Sequence, residues 1–160
     1  MIERTLVLLK PDAVQRSLSG EITTRFEKAG FKIVGMKMVW IDADFSKKHY
    51  AAHVGKPFYQ ATEDYVTSGP VVAMVLEGIE AVEVIRKMVG ATEPKGAQPG
   101  TIRGDYSHVS MKFADSKNIS VKNLVHASGT PEEAKKEIGL WFSKDDMHTY
   151  KTVHDMHIVE

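Results

Sequence analysis

His126 is the residue with the most chemistry in reach. It lies in the strand-like run Asn123-Leu124-Val125-His126-Ala127-Ser128, just ahead of a helix start at Thr130-Pro131. Functional side chains emerge at such strand-to-helix junctions on α/β folds. An imidazole with an ordinary pKa near 6.5 is a nucleophile at neutral pH without assistance. Ser128 is close enough in sequence to hold a neighbouring group, and Glu137 on the following helix could orient the ring. A histidine at such a place is otherwise a satisfied core residue, so spacing alone leaves both readings open.

Three cations suit a phosphate. Lys10 ends the first apolar run before Pro11, where its ammonium can reach an anion. Arg86 lies off the apolar stripe of its helix, and Arg103 follows Gly100-Thr101-Ile102; guanidinium forks suit bidentate phosphate binding. Each alone also reads as a solvated surface charge. Tyr50, Phe58 and Tyr59 could stack on a base, which needs only a π-face, although such aromatics are more often core. No GxxxxGK[ST] and no GxGxxG occurs, so a P-loop or dinucleotide fingerprint is excluded. His148, His154 and His157 near Asp145, Asp146 and Asp155 fit no metal-ligand spacing, and the segment 143–160 reads as a solvated polar tail.

The elements that must position these residues follow from periodicity. Thr5–Leu9 reads as a buried strand closed by a turn at Lys10-Pro11-Asp12. Leu18, Ile22, Phe26 and Ala29 recur at helical spacing until Gly30. Phe31–Ile41 is a second strand. Asp44 or Ser46 caps a helix through Ala52, and Pro57 opens another to Ser68-Gly69-Pro70. Val71–Leu76 lacks alternation, as a strand buried on both faces does. Glu80–Val89 carries Ala81, Val82, Ile85, Met88 and Val89 in one stripe. A glycine- and proline-rich loop spans 90–100, a fourth strand Asn123–Ala127, and Pro131 opens a last helix with Ala134, Ile138, Trp141 and Phe142 on one face. The order of strands and helices gives two βαβ-type halves. The expected fold is therefore α+β: a ferredoxin-like split βαβ sandwich with a four-stranded antiparallel sheet covered by helices, in one domain over 1–160.

Composition bounds the function classes. The 160 residues are 42% hydrophobic and 26% charged, the balance of a folded chain. There is no cysteine, which excludes thiol catalysis, zinc-thiolate sites and disulfides. Lys plus Arg and Asp plus Glu both number 21, a formal net charge of zero, so dedicated nucleic-acid binding is not expected. The longest apolar runs, Leu6–Leu9 and Val71–Leu76, fall far short of the ~20 residues of a membrane span. The expected location is cytoplasmic.

Taken together the motifs resemble the nucleoside diphosphate kinase family. The blocks are Thr5–Asp12 with Val14–Arg16, Ser68–Met74 with Glu77-Gly78, Gly90–Thr92 with Pro94, Pro99–Asp105, Asn123–Ser128 and Glu137–Phe142, in the family's order along nearly the whole chain. The resemblance implies magnesium-dependent ping-pong transfer of a terminal phosphate from a nucleoside triphosphate such as ATP to a nucleoside diphosphate through a phosphohistidine at His126. It implies that Lys10, Tyr50, Arg86, Thr92, Arg103 and Asn123 hold phosphates and sugar hydroxyls. It implies that Phe58 stacks on the base and that Ser128 and Glu137 support the histidine. It also implies a homo-oligomer, with a hexamer favoured over a tetramer.

Two departures stand out. Gly129 follows Ser128 where the family usually has Asp, and the segment 106–122, with His108, Lys112, Asp115 and Lys117, is longer than usual, an insertion expected to form a hairpin beside the nucleotide or at a subunit interface. Two other readings share these residues: a ferredoxin-like nucleotide- or RNA-binding module without turnover, and a phosphohistidine donor to other proteins.

Overall fold

A computed structural model describes residues 1–159. Four strands, β1 (Ile2–Leu9), β2 (Lys32–Val39), β3 (Val71–Ile79) and β4 (Val125–Ala127), form one antiparallel sheet in the order β2-β3-β1-β4. This is the expected split βαβ arrangement, with the two halves interleaved so that β1 and β3 lie at the centre. Among the described residues eight α-helices accompany it: α1 (Pro11–Gln15), α2 (Ser19–Lys28), α3 (Ala43–His49), α4 (Tyr59–Val66), α5 (Ala81–Val89), α6 (Ile102–Tyr106), α7 (Met111–Ser116) and α8 (Pro131–Trp141). Among the described residues no helix is long and apolar enough to cross a membrane.

The apolar runs in β1 and β3 are explained by two cores. Val7, Leu9, Val72, Met74 and Leu76 pack with Ile22 and Phe26 of α2 and Ile85 and Val89 of α5. Leu6, Leu8, Val71, Ala73 and Val75, on the opposite face, pack with Tyr65 and Val66 of α4 and with Trp141 and Phe142 at the end of α8. Successive side chains point to opposite faces, so a central strand covered on both sides must be apolar throughout.

The local boundaries differ from expectation for identifiable reasons. Lys10-Pro11-Asp12 does not simply turn; Pro11 sits in the first turn of the short helix α1, where its missing N–H costs nothing. The cap of α3 is Asp42, whose carboxylate accepts from the Phe45 N–H at 2.8 Å, rather than Asp44 or Ser46; Ser46 is buried inside the helix. The next helix starts at Tyr59, two residues after Pro57. The fourth strand is only three residues long, and Asn123 lies ahead of it. The segment 106–122 forms α7 rather than a hairpin. Ser110 caps it by accepting from the Phe113 N–H, and Glu93 on the Pro94 loop accepts the Met111 N–H at 2.8 Å.

The tail is not simply solvated. The His148 N–H donates to the Val34 carbonyl, the Tyr150 hydroxyl to the Ile33 carbonyl, and Asp155 pairs with Lys32. The β2 edge is irregular between Ile33 and Gly35, and the tail satisfies the carbonyls that this irregularity leaves free.

Leu6 is fully buried on a central strand. Leu6→Ala is expected to lower the unfolding free energy by about 3 kcal/mol in a denaturant titration.

Candidate active site

His126 lies on the edge strand β4 opposite Leu8 of β1. Its neighbours Val125 and Ala127 point into the α2/α5 core, so the imidazole points to the other face, towards α3 and α8. There its Nε2 lies 2.9 Å from Glu137 Oε1, and the Ser128 hydroxyl donates to Glu137 Oε2 at 2.5 Å. Burial pushes the Glu137 carboxyl up, but the His126 bond, the His126 charge and the Ser128 bond outweigh it and hold the group below its ordinary range. An ionised carboxylate only accepts. Nε2 therefore carries a ring proton, and in the neutral imidazole this tautomer puts the lone pair on Nδ1. The serine is in turn placed by the sheet: its N–H donates to the Leu6 carbonyl, and the Leu6 N–H donates to its Oγ.

Lys10, Tyr50, Arg86, Thr92, Arg103, Asn123 and His126 line one cavity of about 210 Å³. Residues from just after β1, from the segment after α3, from α5, from the 90–100 loop, from α6 and from β4 and its approach thus converge. Lys10 Nζ donates to Asn123 Oδ1 at 2.8 Å, and Asn123 Nδ2 donates to the Thr92 carbonyl at 2.9 Å. Burial first, then repulsion by Arg103, lowers the Lys10 ammonium to about 8, against an opposing pull from Asp12. Burial and Arg86 likewise lower Arg103 to about 10. Arg86 Nη1 donates to the Ala127 carbonyl at 3.3 Å. Such gathered, partly desolvated cations are destabilised alone and satisfied by an anion.

Arg103 is also tied into the backbone. Its Nε, Nη1 and Nη2 donate to the carbonyls of Asn123, Gly90 and Val125. Two of the five guanidinium N–H groups remain for a ligand. Phe58 is not brought into the cavity: it stands 52% exposed on the rim of the helical hairpin, its ring 5.5 Å from that of His53. Tyr59 is buried and donates to Glu63.

Four contributors escaped the sequence reading of single residues. Asp12 is buried, accepts from the Tyr65 hydroxyl at 2.5 Å, and accepts from the Leu124 N–H at 3.2 Å. Leu124 has φ +69, and the Val125 N–H closes on the Asn123 carbonyl at 2.7 Å, which makes a strained γ-turn immediately before β4. Asp12, Tyr65 and the Lys10 N–H to Leu124 carbonyl bond hold that turn. His49 packs edge-on to His126 with centroids 4.8 Å apart, and its Nδ1 accepts from the Trp141 indole at 3.1 Å. Burial, then His126, lowers His49 to about 3, so it is neutral. Glu133 completes the cavity wall. Only position signals them: Asp12 follows Lys10-Pro11, His49 precedes Tyr50, and Glu133 is three residues after a capping threonine.

The family model described as nucleoside diphosphate kinase matches residues 3–147. A nucleoside diphosphate kinase of Pyrococcus furiosus is 55% identical over 149 residues, covering 93% of this chain and 88% of the relative. Among solved structures, a transition-state mimic of the nucleoside diphosphate kinase of Borrelia burgdorferi with vanadate and ADP superposes with a TM-score of 0.95 at 39% identity, covering 98% of this chain and 96% of that one. The halophilic enzyme of Halobacterium salinarum in complex with CDP gives 0.90 at 40% identity, with full coverage of both chains.

The depressed Lys10 sets a pH dependence. Below about 8 the ammonium is charged and attracts an anion; above it the free pocket loses that charge. Pyrophosphate affinity, measured by calorimetry, is expected to fall as pH rises through about 8, with proton uptake on binding, and Lys10→Arg is expected to move the fall to higher pH.

Proposed function

The chain belongs to the nucleoside diphosphate kinase family, and on that premise we propose that His126 Nδ1 is the nucleophile that carries the phosphoryl group between nucleotides. The observation that carries this reading is the His126–Glu137–Ser128 chain, which holds a proton on Nε2 and so assigns the neutral ring's lone pair to Nδ1, on a histidine that lines a cavity with Lys10, Arg86 and Arg103. Phosphoryl transfer needs an in-line nucleophile and neutralised oxygens. The Nδ1 lone pair attacks the terminal phosphorus of the triphosphate, the bond to the bridging oxygen breaks, and the diphosphate leaves with that electron pair. A terminal oxygen of a second diphosphate then attacks the phosphorus, and the N–P bond breaks. Glu137 steadies the imidazolium character that develops at Nε2–H in both halves. Splitting the transfer this way lets one pocket serve donor and acceptor in turn.

In this proposal Lys10, Arg86, Arg103, Thr92, Asn123 and Tyr50 hold the phosphates and sugar. Phe58, exposed on the rim, offers an unselective stacking face to the base. Magnesium belongs to the proposal as a companion of the nucleotide. A hard cation takes oxygen ligands. The cavity has one carboxylate, Glu133, among cations, so the protein builds no cage for it. His49, His126 and Glu137 bring ligand atoms within 4.8 Å of one another, but two imidazoles suit borderline metals, not magnesium. The donor set fits a cation that arrives on phosphate oxygens, where it neutralises their charge.

The proposal further includes one domain with 106–122 as an insertion, a cytoplasmic location where charged nucleotides are made and retained, and a homo-oligomer, hexameric rather than tetrameric. Met36, Met38 and Trp40 support self-association: they lie exposed in alternation on the edge strand β2 and just beyond it, an apolar row on a strand that pairs with β3 alone among the described strands.

Labelling with γ-labelled ATP and magnesium is expected to give an acid-labile, alkali-stable phosphoprotein that passes its label to GDP, and His126→Ala to give none; ATP binding without label on the native chain would instead favour the binding-module reading. Lys10→Ala is expected to slow transfer by ~10²–10³. Met36→Glu with Met38→Glu is expected to reduce the assembly's mass in light scattering.

A further inference from the structure

Glu133 faces the phosphate cavity, yet neither the cationic cradle nor the histidine support uses it. Among the described residues it is the only carboxylate on the cavity wall. It stands in the first turn of α8 and is exposed. Its Oε2 accepts the Gly129 N–H at 2.9 Å, and its own N–H donates to Thr130 Oγ1 at 3.1 Å. Gly129 makes this geometry possible. A Cβ there would stand 2.6 Å from Glu133 Oε2 and 3.8 Å from Arg86 Nη1. The carboxylate therefore occupies the volume that a side chain at 129 would fill, on the Arg86 side of the pocket.

A helix cap accounts for part of this, since Thr130 with Glu133 three residues on is a capping pattern. The cap needs an acceptor at Oε2, and a neutral amide would serve. It does not need a charge aimed into an anion site. Placed against bare phosphate oxygens, a carboxylate repels the ligand; with a divalent cation between them, the sign reverses. We propose that Glu133 is a specificity-determining residue that makes the pocket discriminate cation-bound nucleotide from metal-free nucleotide. The proposal rests on the nucleotide reading given above.

Glu133→Gln isolates the charge, because its amide oxygen still accepts the Gly129 N–H. Calorimetric titration of the full chain with ADP, in excess MgCl₂ and separately in EDTA, reads the effect. The variant is expected to bind metal-free ADP about fivefold more tightly than wild type, a modest gain because the group is exposed. The ratio of the EDTA to the magnesium Kd then falls. Gly129→Ala, whose Cβ displaces the carboxylate, is expected to move the ratio the same way, and it carries the test if the glutamine variant folds poorly. Glu132→Gln, exposed and off the cavity wall, is expected to leave the ratio alone. An unchanged ratio in both Glu133→Gln and Gly129→Ala overturns the proposal, as does an equal shift in Glu132→Gln, which would make the effect one of net charge. Wild-type protein that binds ADP in neither condition sinks the nucleotide reading and this inference with it, an outcome distinct from an unchanged ratio.

Discussion

One buried guanidinium holds the site together. Arg103 donates to the carbonyls of Gly90, Asn123 and Val125, which belong to the C-cap of α5, the approach to β4 and β4 itself. These are the acceptors that the secondary structure leaves open: a helix ends with unpaired carbonyls, and a three-residue edge strand pairs on one side only. A buried unpaired carbonyl is costly, so one side chain satisfies Gly90 and Val125, shares the Asn123 carbonyl with the γ-turn, and fixes α5, the 90–100 loop and the histidine strand relative to one another. The same charge then remains beside Lys10 and Arg86, where it makes an anion welcome.

The approach to β4 shows the same coupling of structure to chemistry. Leu124 sits in a left-handed conformation that a leucine avoids, and it is held there by Asp12 and Lys10 from the other end of the chain. The turn lets Asn123 face the cavity while His126, three residues later, faces α8. A regular strand would alternate strictly and would set Asn123 and His126 on opposite faces. The strain is local, and the buried Tyr65–Asp12 bond opposes its release.

Charge in the pocket is arranged in opposition. Behind burial, Arg103 depresses the protonation of Lys10 and Arg86 that of Arg103, while the neutral His49 fills the space beside His126 without adding a further positive charge. On the other side, Glu137 is kept ionised by the histidine it orients. The anion-attracting wall and the proton-holding wall meet at one imidazole, and its two nitrogens face different environments.

Much of this was legible in the sequence. The two-sided apolar runs of β1 and β3, the stripes of α2 and α5, and the ordered motifs around Lys10, Arg103 and His126 determined the four-stranded split βαβ fold and the family, because periodicity and motif order are properties of the chain itself. The short cap-driven pieces were less legible. Asp42 rather than Asp44 caps α3, and 106–122 coils into α7, because a cap depends on one side chain meeting one N–H. What only the tertiary structure decided is which groups meet from distant positions. It settled that Glu137 meets His126 at Nε2, that Arg103 commits three donors to backbone, that Phe58 stays on the rim, and that Glu133 fills the space Gly129 leaves. Those outcomes turn on distances of about one hydrogen bond between residues far apart in sequence, and no spacing along the chain encodes them.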